Sequence, residues 1–239
     1  MKNKVPWLLL AGIGGYWLLQ RLGKRGGAMD EEVHASLPGD DIIPNPMLET
    51  THAISVHAPP SVIWKWLIQA GYRGSGRAGW YSDVWLFRPF ERAFLHITVP
   101  RKFLRLDPEM PSADEILPEY QHTSVGDIIP DGPPGTAFFI VKQIEPEKAW
   151  VLYSDSHIKY LSPTFLHNTS LGAYGEFSWV FVLKPISEQF TRLILRTRAN
   201  LGPPVFCSLI LPLIYLSEAI IPRLILDGIK QRAEVSTEG

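Results

Sequence analysis

Hydrophobic and polar positions along the first third of the chain change period, and each change predicts a different element. Residues 52–57 alternate between apolar and polar side chains, which predicts a strand. Pro59 and Pro60 end it, because proline cannot donate a ladder hydrogen bond. Residues 61–70 then place their apolar side chains at helical spacing and predict an amphipathic helix that ends at Gly71.

The second half of the chain predicts more strands and a long helix. Predicted strands cover residues 126–130, 136–145, 149–154, 177–183 and 191–199. In the last strand Arg192, Arg196 and Arg198 share one face, so we expect that face to meet water and the opposite face to meet a core. From Ile220 an apolar stripe at helical spacing predicts a C-terminal helix, with Pro222 either kinking it or marking its first turn.

The N-terminal segment is strongly apolar. Residues 5–19 carry no charge and basic residues flank them. As a helix they would span about 22 Å, which is less than the ~30 Å hydrocarbon core of a bilayer. The preferred interpretation is an uncleaved membrane anchor. The alternatives are a cleaved signal peptide and a buried helix.

These observations give a two-part organisation. Residues 1–27 are predicted to form the membrane anchor and linker, and residues 40–234 the folded domain. The glycines and charges of residues 23–32 are typical of a solvated linker. The protein is therefore expected to be membrane-associated through a single N-terminal anchor, with the main domain in the cytoplasm.

Composition and charge exclude several classes of protein. Hydrophobic residues make up 46% of the 239 residues and charged residues 20%, which indicates a packed globular domain. Lys and Arg total 23 against 24 Asp and Glu, so nothing indicates nucleic-acid binding. Cys207 is the single cysteine, which excludes an internal disulfide and a multi-cysteine metal site.

A glycine-rich stretch, GSGRAG at residues 74–79, has the spacing of a dinucleotide-binding loop. Such a loop must follow a strand and open a helix, whereas here a predicted helix precedes it. The glycines are better explained by a tight bend that requires positive φ. No other cofactor, metal or catalytic motif is recognisable, so neither a cofactor nor a metal is predicted.

Residues 85–105 interleave aromatic and basic side chains. The preferred interpretation is a helix or loop that packs its aromatic rings inward while the arginines extend to solvent. The alternative is a lid or a surface that contacts an anionic interface.

Six short stretches together resemble one known family. They are GDDIIP (39–44), APP (58–60), IWKWL (63–67), GRAGWYS (76–82), VGDIIP (125–130) and GIKQRAE (228–234). Over residues 39–234 the chain resembles the START-related polyketide cyclase/dehydrase and lipid-transport superfamily. The resemblance implies an α+β helix-grip fold, a curved antiparallel sheet around a long C-terminal helix, here preceded by an N-terminal hydrophobic helix. Residues 83–118 are longer than close relatives would lead us to expect.

The resemblance and the cavity expected between sheet and helix imply binding or transport of a hydrophobic small molecule or lipid. The alternative is a cyclase or hydrolase that acts on a polyketide-like apolar substrate, in which His122, Tyr81 or Asp127 would supply acid–base catalysis. A scaffold with a filled interior and no ligand is the third possibility. The sequence says nothing about the oligomeric state.

The candidate ligand-binding residues lie on the first predicted helix, in the glycine-rich loop and before the first predicted strand of the second half. They are Trp64, Ile68, Arg77, Trp80, Tyr81 and His122. The three loop residues would stand at the cavity mouth, where Arg77 would meet an anionic head group. Alternatively the two aromatic residues anchor the loop and Arg77 binds carbonyl groups or a carboxylate. His122 would point inward or serve only a structural purpose.

Overall fold

Seven strands and four α-helices are found in residues 5–82 and 111–238, the part of the chain that the computed structural model describes. The helices are α1 (Val5–Lys24), α2 (Asp30–His34), α3 (Pro60–Ile68) and α4 (Pro204–Glu238). The strands are β1 (Arg25–Gly26), β2 (Leu48–Val56), β3 (Ile128–Pro130), β4 (Phe138–Glu145), β5 (Ala149–Ser154), β6 (Tyr174–Pro185) and β7 (Thr191–Gly202). The aromatic-basic stretch, residues 85–105, lies outside the described residues.

The strands form one sheet in the order β1-β2-β7-β6-β5-β4-β3. Strand β1 runs parallel to β2, and every other neighbouring pair is antiparallel. The register places Thr50 opposite Thr197 and Thr197 opposite Trp179, so these side chains share one face of the sheet. The sheet curves around the long C-terminal helix, and the predicted α+β helix-grip fold is confirmed.

Helix α4 crosses the concave face of the sheet and closes the main core. Buried side chains of its second half pack against the strands and α3: Ile225, Leu226, Ile229 and Ala233. The helix continues through Pro212 and Pro222 as one element of 35 residues. Pro222 therefore does not mark the first turn. Packing of Leu211 and Ile214 around Pro212, and of Ile225 and Leu226 after Pro222, offsets the cost of about 3 kcal/mol that a proline has in a helix interior.

Helix α1 packs beside the first half of α4. Leu19 joins a buried cluster with Tyr215 of α4, and Gly23 lies directly against the Tyr215 backbone. Among the helices described, none is long and apolar enough to cross a bilayer. The predicted localisation, membrane-associated through a single N-terminal anchor, is therefore wrong. The uncharged run is short, and the end of α1 covers apolar surface of α4 and the sheet.

The convex face of the sheet is covered by residues 28–43, which we name the N-terminal strap. Ala28 and Leu37 of the strap are buried with Val151 and Ile194 of the sheet. The prediction that the arginine face of β7 meets water is therefore wrong. The acidic part of the predicted solvated linker is also packed, with Glu32 only 4% exposed.

Buried ion pairs attach the N-terminal strap to β7. Arg196, only 2% exposed, binds Asp40 Oδ2 at 2.8 Å and donates to three strap carbonyl groups, those of Glu32, Val33 and Ala35. Arg192 donates to Glu32 Oε1 at 2.7 Å. Burial alone would raise the pKa of Glu32, but the hydrogen bonds from Arg192 and the Met29 amide lower it. Carboxylates and carbonyl groups of the strap thus pair with Arg192 and Arg196 in place of water.

The glycine-rich stretch makes a tight bend, as the sequence predicts. Gly76 and Gly79 have φ of +91° and +86°, which glycine adopts without strain. Gly79 also pairs with Gly71 in an isolated antiparallel bridge that closes the loop. The loop delivers Trp80 and Tyr81 to the interior.

Replacing Gly228 with alanine is expected to destabilise the protein by about 1–3 kcal/mol. A Cβ at this position of α4 would overlap the carbonyl oxygen and Cβ of Tyr81, both of which belong to a packed loop. Gly14→Ala in α1 is the matched control, because nothing lies within 4 Å of its added Cβ and alanine favours a helix by about 0.5–1 kcal/mol. Urea unfolding should show opposite signs for the two variants, and equal signs would contradict this packing.

Candidate functional site

Four aromatic side chains on the concave side form what we name the aromatic wall: Trp80, Phe139, Phe177 and Trp179. The ring centroids of Trp80 and Trp179 are 5.2 Å apart, and those of Phe139 and Trp179 are 5.1 Å apart. Three of the four, all but Phe139, keep partial solvent exposure although they face the interior side of the sheet. Phe139 is fully buried behind them.

A polar network borders the aromatic wall. His157 Nε2 lies 2.8 Å from Asp131 Oδ2, and Trp80 Nε1 donates to Asp131 Oδ1. His157 Nδ1 lies 2.6 Å from the Ser154 hydroxyl. The His157 ring also contacts Phe139, with centroids 4.6 Å apart. Asp131 follows β3 and His157 follows β5, so two strand ends and the glycine-rich loop meet here.

The hydrogen-bonding capacity of His157 is used within this network. The Asp131 carboxylate can only accept, so His157 Nε2 carries a proton. In the neutral ring Nδ1 then accepts from the Ser154 hydroxyl. Both ring nitrogens and both Asp131 oxygens have protein partners. The arrangement therefore fixes the position of Trp80 and the edge of the aromatic wall.

A carboxyl group on α4 faces the same side of the sheet. The Thr50 hydroxyl donates to Glu218 Oε2 at 2.6 Å. Burial raises the pKa of Glu218 to about 7, although the hydrogen bond from Thr50 and the nearby Thr197 hydroxyl act in the opposite direction. No ion pair of Glu218 occurs with any residue in the described ranges. Because Thr197 is the neighbour of Trp179 in the sheet, this carboxyl group stands beside the aromatic wall.

Among the predicted site residues, Trp80 lies in the aromatic wall. Ile68 is buried in the main core, and Trp64 is half-buried against it. Tyr81 is 3% exposed, and its hydroxyl donates to the Trp66 carbonyl oxygen at 2.7 Å. Burial raises the pKa of Tyr81 further. Tyr81 thus anchors the glycine-rich loop to α3.

The other two predicted residues lie apart from the wall. Arg77 is 7% exposed and donates to the carbonyl oxygens of Ala70 and Ile68 at 2.7 and 2.6 Å, with Tyr120 stacked against its guanidinium. Burial lowers the pKa of Arg77 to about 10. His122 is exposed. Asp127, a candidate acid or base of the alternative function, is exposed as well and accepts from the Ser124 amide.

Sequence reasoning missed three side chains of this region, although one carried a clear signal. Glu218 is the only charged residue between Arg198 and Arg223. A lone carboxylate in such an apolar run indicates either a special environment or a site. His157 and Asp131 carried no comparable signal, because they meet only when the ends of two strands come together.

A concave region lies on the outside of the sheet. An open groove of about 330 Å³ is lined mainly by Tyr153, Asp155, Tyr174, Glu176 and Asn200. Tyr153 donates to Glu176 Oε2 at 2.8 Å, and burial together with Glu176 raises the pKa of Tyr153 to about 12. The groove is shallow and acidic, and it lies across the sheet from the aromatic wall.

Comparison with known proteins gives similarity of fold at low sequence identity. No family model and no curated protein matches the chain. A norcoclaurine synthase from Thalictrum flavum is 14% identical, with a TM-score of 0.41, covering 80% of this chain and 96% of that one. A conserved protein from Geobacillus kaustophilus is 13% identical, with a TM-score of 0.40 and coverages of 79% and 97%.

A protein from Nitrosospira multiformis is 12% identical, with a TM-score of 0.41 and coverages of 80% and 100%. At these scores and identities the matches say nothing about the activity of this chain. Its helix-grip fold is established by its own strand order and by the helix on the concave face of the sheet.

Proposed function

We propose that the protein binds a hydrophobic small molecule or lipid between the aromatic wall and α4, and that it carries or senses this ligand. The observation that supports the proposal is the partial exposure of Trp80, Phe177 and Trp179 on the interior side of the sheet. Ligand pockets combine accessible apolar and aromatic surface with a few placed polar groups. The wall, Glu218 and the network around His157 have this composition.

The exposure of the wall differs from that of the neighbouring core. Trp150 and Phe181 are fully buried, although they lie on the same face and next to the wall. A rigid sheet carries both sets of side chains, so the difference reflects what covers them. A ligand that covers this accessible apolar area would gain about 25 cal/mol of binding free energy per Å² buried.

The arrangement favours binding over catalysis. A general acid or base needs an atom free to reach the substrate, whereas both nitrogens of His157 already have partners. The Tyr81 hydroxyl is engaged with Trp66 and Gln69, and His122 is exposed. Among the described residues facing the aromatic wall, Glu218 is the candidate acid or base for a cyclase or hydrolase, and turnover that is lost in Glu218→Gln would favour that alternative.

Trp179→Ala is expected to weaken binding of the apolar fluorophore N-phenyl-1-naphthylamine by roughly tenfold to a hundredfold. The loss corresponds to the apolar surface of one aromatic ring that the fluorophore no longer contacts. Fluorescence titration of the purified protein measures this. Phe165→Ala is the control, because Phe165 is 79% exposed and lies outside the aromatic wall. This variant should bind the fluorophore as tightly as the unmodified protein does. Circular dichroism verifies that both variants are folded. Equal affinities of folded Trp179→Ala and the unmodified protein would contradict the proposed site.

A further inference from the structure

Glu218 is an unusual residue for the middle of a long, mostly apolar helix. Its carboxyl group reaches the concave face of the sheet and accepts a hydrogen bond from Thr50 at 2.6 Å. The residue is half-buried, its carboxyl group is shielded from water, and a shielded carboxylate is unfavourable unless a cation pairs with it. Among the described residues, hydroxyl groups contact it and none forms an ion pair with it, and burial raises the pKa of Glu218 to about 7. The nearby cation Lys24 of α1 lies over the Tyr215 ring, one turn earlier on α4.

Thr197 provides a second observation at the same place. The residue is 3% exposed, and its hydroxyl oxygen lies close enough to Glu218 to lower the pKa of that carboxyl group but makes no regular hydrogen bond with any described residue. Buried side-chain hydroxyl groups normally have partners. Thr197 faces Glu218 from β7 and stands beside Trp179 in the sheet. A polar ligand atom between the carboxyl group and the wall would satisfy it.

We propose that Glu218 and Thr197 form the polar end of the interior site and that the ligand is an apolar molecule bearing a protonated amine. This inference rests on the proposed function, because it specifies the ligand of the same site. An ammonium group donates up to three hydrogen bonds and supplies a positive charge, for which Glu218 has no ion-pair partner among the described residues.

Other head groups satisfy the site less well. A fatty carboxylate would place a second negative charge next to Glu218. Neighbouring like charges repel strongly in a poorly solvated site. An alcohol can donate one hydrogen bond but leaves the carboxylate without a counter-charge. The site should therefore rank head groups as ammonium, then alcohol, then carboxylate.

The test compares three decyl compounds that differ only in head group: decylamine, decanol and decanoate. Each displaces N-phenyl-1-naphthylamine from the purified full-length protein near pH 8.5, where Glu218 and decanoate are ionised and decylamine is protonated. Decylamine should bind at least about tenfold more tightly than decanol, the equivalent of one charge-assisted hydrogen bond. Decanoate should bind most weakly.

Glu218→Gln should reduce the affinity for decylamine to about that for decanol, because the variant has no negative charge to pair with the ammonium group. Glu188→Gln is the matched control, because Glu188 is exposed in the turn after β6, and it should keep the preference for the amine. Thr197→Val should reduce the preference only a few-fold, since the loss is one neutral hydrogen bond.

The unmodified protein gives a readout that does not depend on any variant. Its preference for decylamine should shrink as the pH falls below about 7, because Glu218 then takes up a proton. His52 lies two residues from Thr50 on the same face of β2, and burial lowers its pKa to about 4, so it stays neutral in this range. The charged pair Glu49 and Arg198 is held on the opposite face.

The outcomes separate the two proposals. If none of the three compounds displaces the fluorophore, the proposed function fails. If all three displace it with equal affinity, or if Glu218→Gln keeps the preference for the amine, the apolar site stands and the inference about its ligand is overturned. A preference that is independent of pH would overturn it too.

Discussion

Arg196→Ala should lower the free energy of unfolding by about 3–5 kcal/mol, the usual cost of removing one partner from a buried ion pair. The change leaves Asp40 without its 2.8 Å partner and removes the donors to the carbonyl groups of Glu32, Val33 and Ala35. Because these acceptors belong to the N-terminal strap, the strap should also lose protection. Urea unfolding measures the first effect, and amide hydrogen exchange over residues 28–43 measures the second.

Arg223→Ala is the control for this experiment. The Arg223 side chain is 76% exposed, and its nearest carboxylate, on Asp227, is 4.0 Å away. Exposed pairs of this kind contribute about 0–1 kcal/mol, so the free energy of unfolding should hardly change. A loss in Arg196→Ala no larger than that in Arg223→Ala would show that the strap does not depend on the buried arginine.

Glu218→Gln should stabilise the protein above pH 7 by up to about 3 kcal/mol, since a tenfold change in proton affinity corresponds to about 1.36 kcal/mol. The carboxyl group has a pKa of about 7 in the folded protein against an ordinary value of 4.5. The folded state therefore retains a proton that the unfolded state releases, and the unmodified protein loses stability as the pH rises from about 4.5 to 7. Glutamine keeps the acceptor for Thr50 and removes this loss.

His52 makes the pH profile of this variant distinctive. Burial lowers the pKa of His52 from 6.5 to about 4, so stability that is present above pH 6.5 is lost as the pH falls toward 4. In the unmodified protein Glu218 opposes this trend between about pH 4.5 and 6.5. In Glu218→Gln the free energy of unfolding should therefore fall visibly as the pH drops below 6.5. Near pH 4.5 it should equal that of the unmodified protein.

Urea unfolding at a series of pH values measures the difference between the two proteins. Glu188→Gln serves again as the control and should parallel the unmodified protein throughout. A constant difference between Glu218→Gln and the unmodified protein from pH 4.5 to 8 would mean that the Glu218 carboxyl group titrates as an exposed one does.

Local periodicity is sufficient to predict most elements of the fold. It predicts a strand over residues 149–154, and these residues form β5 with the same bounds, because alternation along a short strand is encoded by neighbouring residues. The helix that ends before Gly71 is predictable for the same reason. The continuity of α4 through Pro222 is not, since it depends on contacts with β-strands and α1.

Features that depend on distant partners could not be predicted. An arginine on a strand usually reaches water, and Arg196 is buried only because one carboxylate and several carbonyl groups about 160 residues earlier surround it. Turn chemistry is the local explanation of Asp155-Ser156-His157, and nothing in that stretch indicates that His157 meets Asp131. The aromatic wall likewise draws one residue from the glycine-rich loop and three from strands β4 and β6.

The strand order also determines which backbone groups the two edge strands of the sheet offer for pairing with other molecules. At one end β1 offers only two residues, and at the other end β3 has three and finishes with Pro130. The Pro130 carbonyl oxygen already accepts from the Tyr72 amide at 2.7 Å. Uncovered edges are the usual template for β-aggregation. Within the described part of the chain, little backbone is left for an extended peptide or a second molecule to continue the ladder.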